Sequence, residues 1–271
     1  MQTEQQSMAE GAFMTDIRSI QVADGVSFFV PQKEGALFSE VDFIYNEIFI
    51  ERAYLKHGIQ LSDSSRVVDA GANVGLFSLF VKQEFPGAKI LAFEPIPAIH
   101  QALLENLDSH GAKDVEVHRS ALGRLREDEV RFTFYPSLPG NSTRYPEEKK
   151  VGQELTVQQI GQEALDGIMA GVEVRAEVNR LSDMLREWAP EGSIDLLKID
   201  VEGAELEVME GLDAADWRRV RQTVIEVQDL DSRLDAVRGI VDAQGFTVTV
   251  ENAANLPEVF RYSMVYARRE A

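Results

Sequence analysis

Val67-Val68-Asp69-Ala70-Gly71-Ala72-Asn73-Val74-Gly75-Leu76 decides the fold of this chain. An apolar run ends in Asp69, bends through Gly71 to Gly75, and resumes at helical spacing with Leu76, Leu79 and Phe80. The pattern predicts a buried strand, a glycine turn and a helix, the opening of a nucleotide-binding α/β unit. Gly71 lets the backbone turn where a side chain would clash, and Gly75 lets the helix pack close to the strand. The spacing Gly-x-x-x-Gly is not the Gly-x-Gly-x-x-Gly of dinucleotide enzymes, and no Gly-Lys-Ser/Thr follows to hold a triphosphate. An acid at the strand tip sits badly beside a phosphate and well beside a cationic amine. Asp69, Gly71, Ala72, Asn73 and Gly75 are therefore expected to hold a cofactor with a positive methionyl end, S-adenosylmethionine (SAM).

Outward from this turn, strands are expected near 66–70, 89–94, 114–119, 194–200 and 222–228, with helices near 74–84, 97–110, 204–211 and 231–243. Such short crossovers imply a parallel sheet with helices on both faces. The pattern then changes. Phe246–Val250 and Val259–Tyr266 read as two strands with no helix between them, which places one antiparallel strand in an otherwise parallel sheet of seven. That is the Rossmann-like architecture of class I SAM-dependent methyltransferases, and nicotinamide enzymes normally lack it. Residues 1–60 read as an N-terminal extension and helical cover: a polar start, a hairpin around Asp24-Gly25, and a helix from Val41 to Leu55 stopping at His57-Gly58. His57 reads most simply as a partner of that helix's C-terminal dipole. Residues 61–271 form the methyltransferase domain, interrupted at about 123–192 by an insertion. It holds alternating runs at Val130–Tyr135 and Val172–Val178, a polar proline-bounded loop Pro136–Pro146, and a helical stretch Leu155–Met169. A connection this long suggests a lid or substrate loop, with a flap for a homodimer as the alternative.

Composition narrows the partners. The net charge of −19 argues against nucleic acid and an anionic membrane surface. It leaves a small or carrier-tethered neutral substrate as the reading least in conflict. An acidic carrier would have to dock on a local basic spot such as Arg218-Arg219-Val220-Arg221. No apolar stretch approaches the roughly 20 residues that span a bilayer, and Met1–Ser7 has neither a basic n-region nor an apolar h-region. The absence of cysteine rules out thiolate metal sites and fits a reducing, cytoplasmic setting.

Several polar residues fall at strand tips, where open α/β sheets bind ligands. Glu94, followed by Pro95, stands 23 positions after Gly71 and is placed to accept hydrogen bonds from both ribose hydroxyls, or else simply to cap the next helix. Ser120 and Ala121 leave room for a purine, though an ordinary turn reads nearly as well. Lys198 and Asp200 near the end of a central strand are costly unless paired or functional. The alternative is that Asp200 and Glu202 cap the next helix while Lys198 snorkels. The four histidines offer little for catalysis: His57 sits at a helix stop, His100 and His110 on or near the helix after Glu94, and His118 on the third strand. Asp200 is thus the expected base or metal ligand, with Glu226 as its partner and Glu202 behind it. The acids would either hold Mg²⁺ or share a proton without metal. Asn141, Ser142 and Tyr145 in the polar loop are expected to face the substrate.

Asp69–Gly75, Phe93-Glu94-Pro95 and Leu197-Lys198-Ile199-Asp200-Val201-Glu202-Gly203-Ala204-Glu205, in this order and spacing, resemble the FkbM family of SAM-dependent methyltransferases over roughly residues 40–268. The resemblance implies O-methylation of a hydroxyl on a polyketide, nonribosomal peptide or sugar, with Asp69 to Gly75 and Glu94 holding SAM. The loop Gly140–Pro146 is similar to that of members working within polyketide and peptide assembly lines. One departure stands out: where the fifth strand of many relatives ends with His, this chain has Gln228. A nicotinamide oxidoreductase and a catalytically silent scaffold are the readings from other classes.

Overall fold

Val67, Val68, Ile90, Leu91, Leu196, Leu197, Val224 and Ile225 are all completely buried, as strands covered on both faces must be. They alternate between two apolar layers, Val67, Ile90, Leu196 and Val224 entering one and Val68, Leu91, Leu197 and Ile225 the other. The computed structural model describes residues 16–32, 39–253 and 256–269; residues 1–15, expected to be polar and mobile, lie outside the described residues.

Twelve strands are found among these residues. A hairpin of β1 (Ile17–Ala23) and β2 (Val26–Pro31) comes first, followed by β3 (Arg66–Ala70), β4 (Lys89–Phe93) and β5 (Val115–His118). The insertion carries β6 (Ser120–Gly123), β7 (Glu127–Phe134) and β8 (Val172–Arg180), and the chain continues with β9 (Leu196–Ile199), β10 (Gln222–Gln228), β11 (Thr247–Asn252) and β12 (Tyr262–Arg268). Seven of them form the main sheet in the order β11-β12-β10-β9-β3-β4-β5. Only β12 runs antiparallel, against β10 on one side and β11 on the other. The strand order reverses between β3 and β9, whose register sets Asp69 against Lys198. This is the switch point where such sheets open a crevice at their carboxyl ends.

Helices α1 (Val41–Tyr45), α2 (Leu76–Glu84) and α3 (Pro97–Ser109) lie on one face of the sheet. The N-terminal hairpin shares their core through Phe28 and Val30, and Asn106 of α3 bonds the backbone N–H and C=O of Phe29. Helices α4 (Gln153–Ile160) and α5 (Gln162–Ile168) belong to the insertion, and α6 (Leu181–Trp188), α7 (Glu205–Glu210), α8 (Ala214–Trp217) and α9 (Arg233–Ala243) complete the set. No helix among the described residues is long and apolar enough to cross a membrane.

Four expectations need revision. The helix expected over 41–55 ends early: α1 widens into a π-turn at Asn46–Ile50, and Arg52 turns left-handed (φ 54°) before a 3₁₀ turn at Ala53–Leu55. His57 is no dipole partner, since it is itself left-handed and its Nε2 meets Glu251 at 2.8 Å. Ser120 to Gly123 is not a bare turn but an edge strand pairing in parallel with β8, so the insertion forms its own sheet in the order β6-β8-β7. The helical stretch of the insertion breaks at Gly161 (φ 83°).

The basic run Arg218–Arg221 precedes β10, at the sheet edge opposite the crevice. Arg219 is spent on Asp216 and on the carbonyls of Gly192 and Ala189. Arg219 thus closes loops at that end of the sheet.

Gly71 has φ 78°, and a Cβ on it would stand 1.8 Å from the backbone oxygen of Asp200. Gly71→Ala is expected to lower stability by about 1–3 kcal/mol from the left-handed backbone alone, with the clash adding to it. Urea unfolding of the variant checks this, and a wild-type midpoint would contradict the tight β3–β9 junction.

Candidate active site

The crevice is organised around one buried cation. Lys198, at the end of β9, donates to the backbone oxygen of Gly71 at 2.7 Å and lies 3.2 Å from Asp69 Oδ1 and 3.3 Å from Asp200 Oδ2. Burial works to lower its pKa, but the carboxylates of Asp69 and Asp200 outweigh it and hold the ammonium above its usual range. Asp69 is fully buried, and its second oxygen accepts from Ser78 Oγ at 2.7 Å. It therefore sits behind the wall of the crevice, braced by Lys198 and Ser78, and is not exposed to meet a ligand's amine directly as the sequence suggested.

A cavity of about 690 Å³ covers the carboxyl ends of the sheet. On the β4 side its wall contains Gly71, Ala72, Asn73, Glu94, Pro95 and Ala121. Glu94 Oε1 accepts from the N–H of Ile96 at 2.9 Å and Oε2 from that of Asn73 at 3.1 Å. Burial pushes its carboxyl up to about 7 against the pull of those two N–H groups. Gly75 and Ser120 are off the wall. A Cβ on Gly75 would press Leu103 of α3 at 3.3 Å, so its close packing is against that helix and not against the strand as expected. Ser120 is buried with an unpartnered hydroxyl, directly beside Ala121.

At the centre stand Asp200, Glu226 and Glu202. Asp200 Oδ2 accepts from Tyr54 Oη at 2.9 Å in addition to its contact with Lys198. Glu226, near the end of β10, has its carboxyl pushed well above the usual range by burial and by the charges of Asp200 and Glu47. Glu202 is differently placed from the expected reserve acid: it is ion-paired with Lys149 of the insertion and accepts from Tyr262 Oη at 3.2 Å. Gln228 donates to the Phe260 carbonyl at 3.1 Å, so where many relatives are expected to carry His this chain has a structural amide.

The insertion closes the cavity from above. Asn141 and Ser142 line it, whereas Tyr145 does not. The Tyr145 hydroxyl donates to Glu207 of α7, which also takes Arg144 at 2.8 Å. That shared acid draws Tyr145 away from the acceptor space. Ile160, Leu165, Ile168 and Met169 supply an apolar wall, joined by Phe43 from the N-terminal cover and Leu256 and Phe260 from the β11–β12 loop. Sequence reading missed Tyr54, Glu47, Glu40 and Lys149. All four reach the cavity through tertiary contact, and only Glu47, an acid interrupting the apolar spacing between Ile44 and Ile48, carried a local signal.

Sheet order, glycine turn and Glu94 together define a class I SAM-dependent methyltransferase. Residues 69–248 match the family described as the Methyltransferase FkbM domain. The chain is 39% identical over 266 residues to Methyltransferase sdnD of Sordaria araneosa, covering 95% of this chain and 99% of that one. It is 38% identical over 224 residues to the 31-O-demethyl-FK506 methyltransferase FkbM of Streptomyces tacrolimicus, covering 78% and 84%. The crystal structure of Methyltransferase FkbM from Methylobacillus flagellatus KT shares the fold, with a TM-score of 0.51 at 16% identity over 82% of this chain and 47% of that one. The chain belongs to the FkbM methyltransferase family. This removes the nicotinamide alternative.

Family membership implies SAM as methyl donor, and the wall suits it. Gly71 leaves backbone within reach, the Glu94 carboxyl lies on the wall, Ala121 beside it leaves open space with the orphan Ser120 hydroxyl just behind, and the excess of acids suits a cation. Glu94→Ala is expected to weaken S-adenosylhomocysteine binding by about tenfold to hundredfold, the worth of charge-assisted bonds to two hydroxyls. Calorimetry decides, and unchanged affinity would remove Glu94 from the donor site.

The buried acids also make stability depend on pH. Burial raises Glu40 to about 8 and Glu47, Glu94 and Glu205 to about 7. Between the unfolded value of 4.5 and these folded values, the native state binds more protons than the unfolded chain. Their contribution is complete below the unfolded value and is lost as pH rises through about 7 to 8. The melting temperature of the ligand-free protein should therefore fall between about pH 6 and pH 8.5. A rise over that window in scanning calorimetry would show that these carboxyls are not held protonated.

Proposed function

We propose that this protein transfers the methyl group of SAM to a hydroxyl of an apolar natural-product intermediate of polyketide or peptide type, free or carrier-tethered. The observation that carries this reading is the placement of Asp200. Tyr54 and Lys198 both engage its Oδ2, and no hydrogen bond among the described residues engages Oδ1, so one carboxylate oxygen is left for an incoming hydroxyl in a cavity with an apolar outer wall. That wall suits a polyketide-like acceptor better than a sugar, which would need a dense set of polar partners.

SAM, when bound, supplies an electrophilic methyl group on a sulfonium. The chain's own residues do the rest. An aliphatic alcohol is a weak nucleophile at neutral pH, so it needs both positioning and a proton acceptor. The hydroxyl proton passes to Asp200 Oδ1, while Tyr54 and Lys198 fix the carboxylate's orientation. Glu226, beside it, shares the proton load. A metal-free mechanism is favoured over Mg²⁺: Lys198 already fills the cation position between Asp69 and Asp200, and among the described residues no group of three or more His, Cys, Asp or Glu side chains is arranged to hold a metal ion.

The test is to incubate candidate hydroxylated polyketides and peptides with SAM and look for a gain of one methyl by mass. Asp200→Asn should keep the fold while lowering kcat by roughly 10²-fold or more, the scale of a lost general base. Activity should survive EDTA. A fully active Asp200→Asn enzyme would remove Asp200 from the chemistry, and EDTA inhibition reversed by Mg²⁺ would restore the metal version.

A further inference from the structure

Every base on the cavity wall already has a counter-charge. Lys198 lies between Asp69 and Asp200, Lys149 pairs with Glu202, and Arg144 pairs with Glu207. The acids are in excess. Glu47, on the π-turn after α1, lines the cavity at only 8% exposure and makes no hydrogen bond or ion pair among the described residues. Glu226, near the end of β10, is partly exposed into the same cavity and likewise makes no hydrogen bond or ion pair among the described residues. A buried carboxylate is expected to be paired or hydrogen-bonded, because taking the charge out of water without compensation is among the costliest arrangements in a fold. Glu47 is such a group, and Glu226 brings a second unpaired carboxyl to the same cavity.

We propose that Glu47 and Glu226 form a subsite for an organic cation, a sulfonium or an ammonium group. Their surroundings favour that class over a metal ion, since the aromatic ring of Tyr54 shares the wall and no metal-holding cluster is present among the described residues. Their protonation supports it. Burial, the Asp200 charge and Glu51 push Glu47 up to about 7 against Lys198 and Lys56. Burial, Asp200, Glu47 and Glu202 raise Glu226 well above its usual range, against Lys198. Tyr54 and Tyr262 also line the cavity, and each is held in its neutral form by burial and then by neighbouring acids, Asp200 for Tyr54 and Glu202 for Tyr262 ahead of Glu226. Without a cation the pair keeps its protons. A cation releases them, which leaves carboxylates beside Asp200 ready to take up the acceptor's proton and links filling of the subsite to readiness for transfer.

The cation can come from the methyl donor, which carries both groups, or from an amine on the acceptor. Calorimetry on the full chain, with Glu47→Gln and Glu226→Gln beside wild type, separates the sources. The ligands are SAM, S-adenosylhomocysteine (no sulfonium), 5′-methylthioadenosine (neither cation), and ethanolammonium added to homocysteine-form-saturated protein. If the sulfonium is read, the variants lose affinity for SAM by about tenfold or more relative to their own S-adenosylhomocysteine affinity. If the donor ammonium is read, both weaken together and methylthioadenosine holds. If an acceptor amine is read, only ethanolammonium binding is lost. In each supporting case wild type also releases protons on binding, seen as a buffer-dependent heat that the variants lack. Wild-type affinities for all four ligands in both variants, or a matching loss of the neutral methylthioadenosine, would overturn the subsite. The first three arms rest on the methyl-donor reading above, and that reading fails separately if wild type binds none of the nucleosides. The ethanolammonium arm then remains the test of the subsite.

Discussion

The ammonium of Lys198 is the constraint on which the site depends. Its side chain is 4% exposed, and moving such an ion out of water costs several kcal/mol after relaxation. The Gly71 carbonyl and the carboxylates of Asp69 and Asp200 offset that cost, and together they tie the tip of β3 to the tip of β9 where the strand order reverses. The glycine turn, Asp200 and the opening of the crevice are all positioned by this one charge. It also explains why Asp69, the acid of the sequence motif, lies behind the wall: its charge is already committed.

The rest of the cavity is built by segments that a bare α/β sheet would not need. The N-terminal cover contributes Tyr54, Glu47 and Glu40, and the left-handed Arg52 between π-turn and 3₁₀ turn aims Tyr54 at Asp200. The insertion is docked on the strand tips by polar contacts. Thr143 Oγ1 donates to the Glu202 carbonyl at 2.6 Å, Lys149 meets the Glu202 carboxylate, and Arg233 of α9 reaches Glu148 at 2.6 Å. Glu40 meanwhile accepts from the Gly140 N–H, joining cover to insertion across the cavity. Polar docking of this kind holds a roof in register and places its apolar face, Ile160 to Met169, over the acceptor space.

An acidic, partly unpaired interior is a poor choice for stability and a reasonable one for function. Proteins commonly retain local conflicts where ligands bind. Here the conflict is electrostatic: Glu40, Glu47, Glu94 and Glu226 crowd the cavity beyond what the available cations neutralise, and their carboxyls are all pushed upward. A cationic ligand would relieve that conflict.

The sequence by itself determined the sheet, the turn and Glu94, because each is local. Continuous apolar runs, a left-handed Gly71 and an acid at the end of β4 are written in consecutive residues, as is the antiparallel final strand, announced by two strands without a helix between them. Tertiary structure alone decided which polar groups face the cavity. Asp69 turned away because Lys198 lies opposite it in register and Tyr145 because Glu207 of α7 draws it aside, while Glu202 lines the cavity with its charge already paired to Lys149. Tyr54 and Glu47 turned inward because the helix expected through them breaks at a backbone conformation that no spacing of apolar residues announces. Charge pairing and chain reversal join residues from 53 to 146 positions apart, and the energy that settles them is absent from any single stretch of sequence.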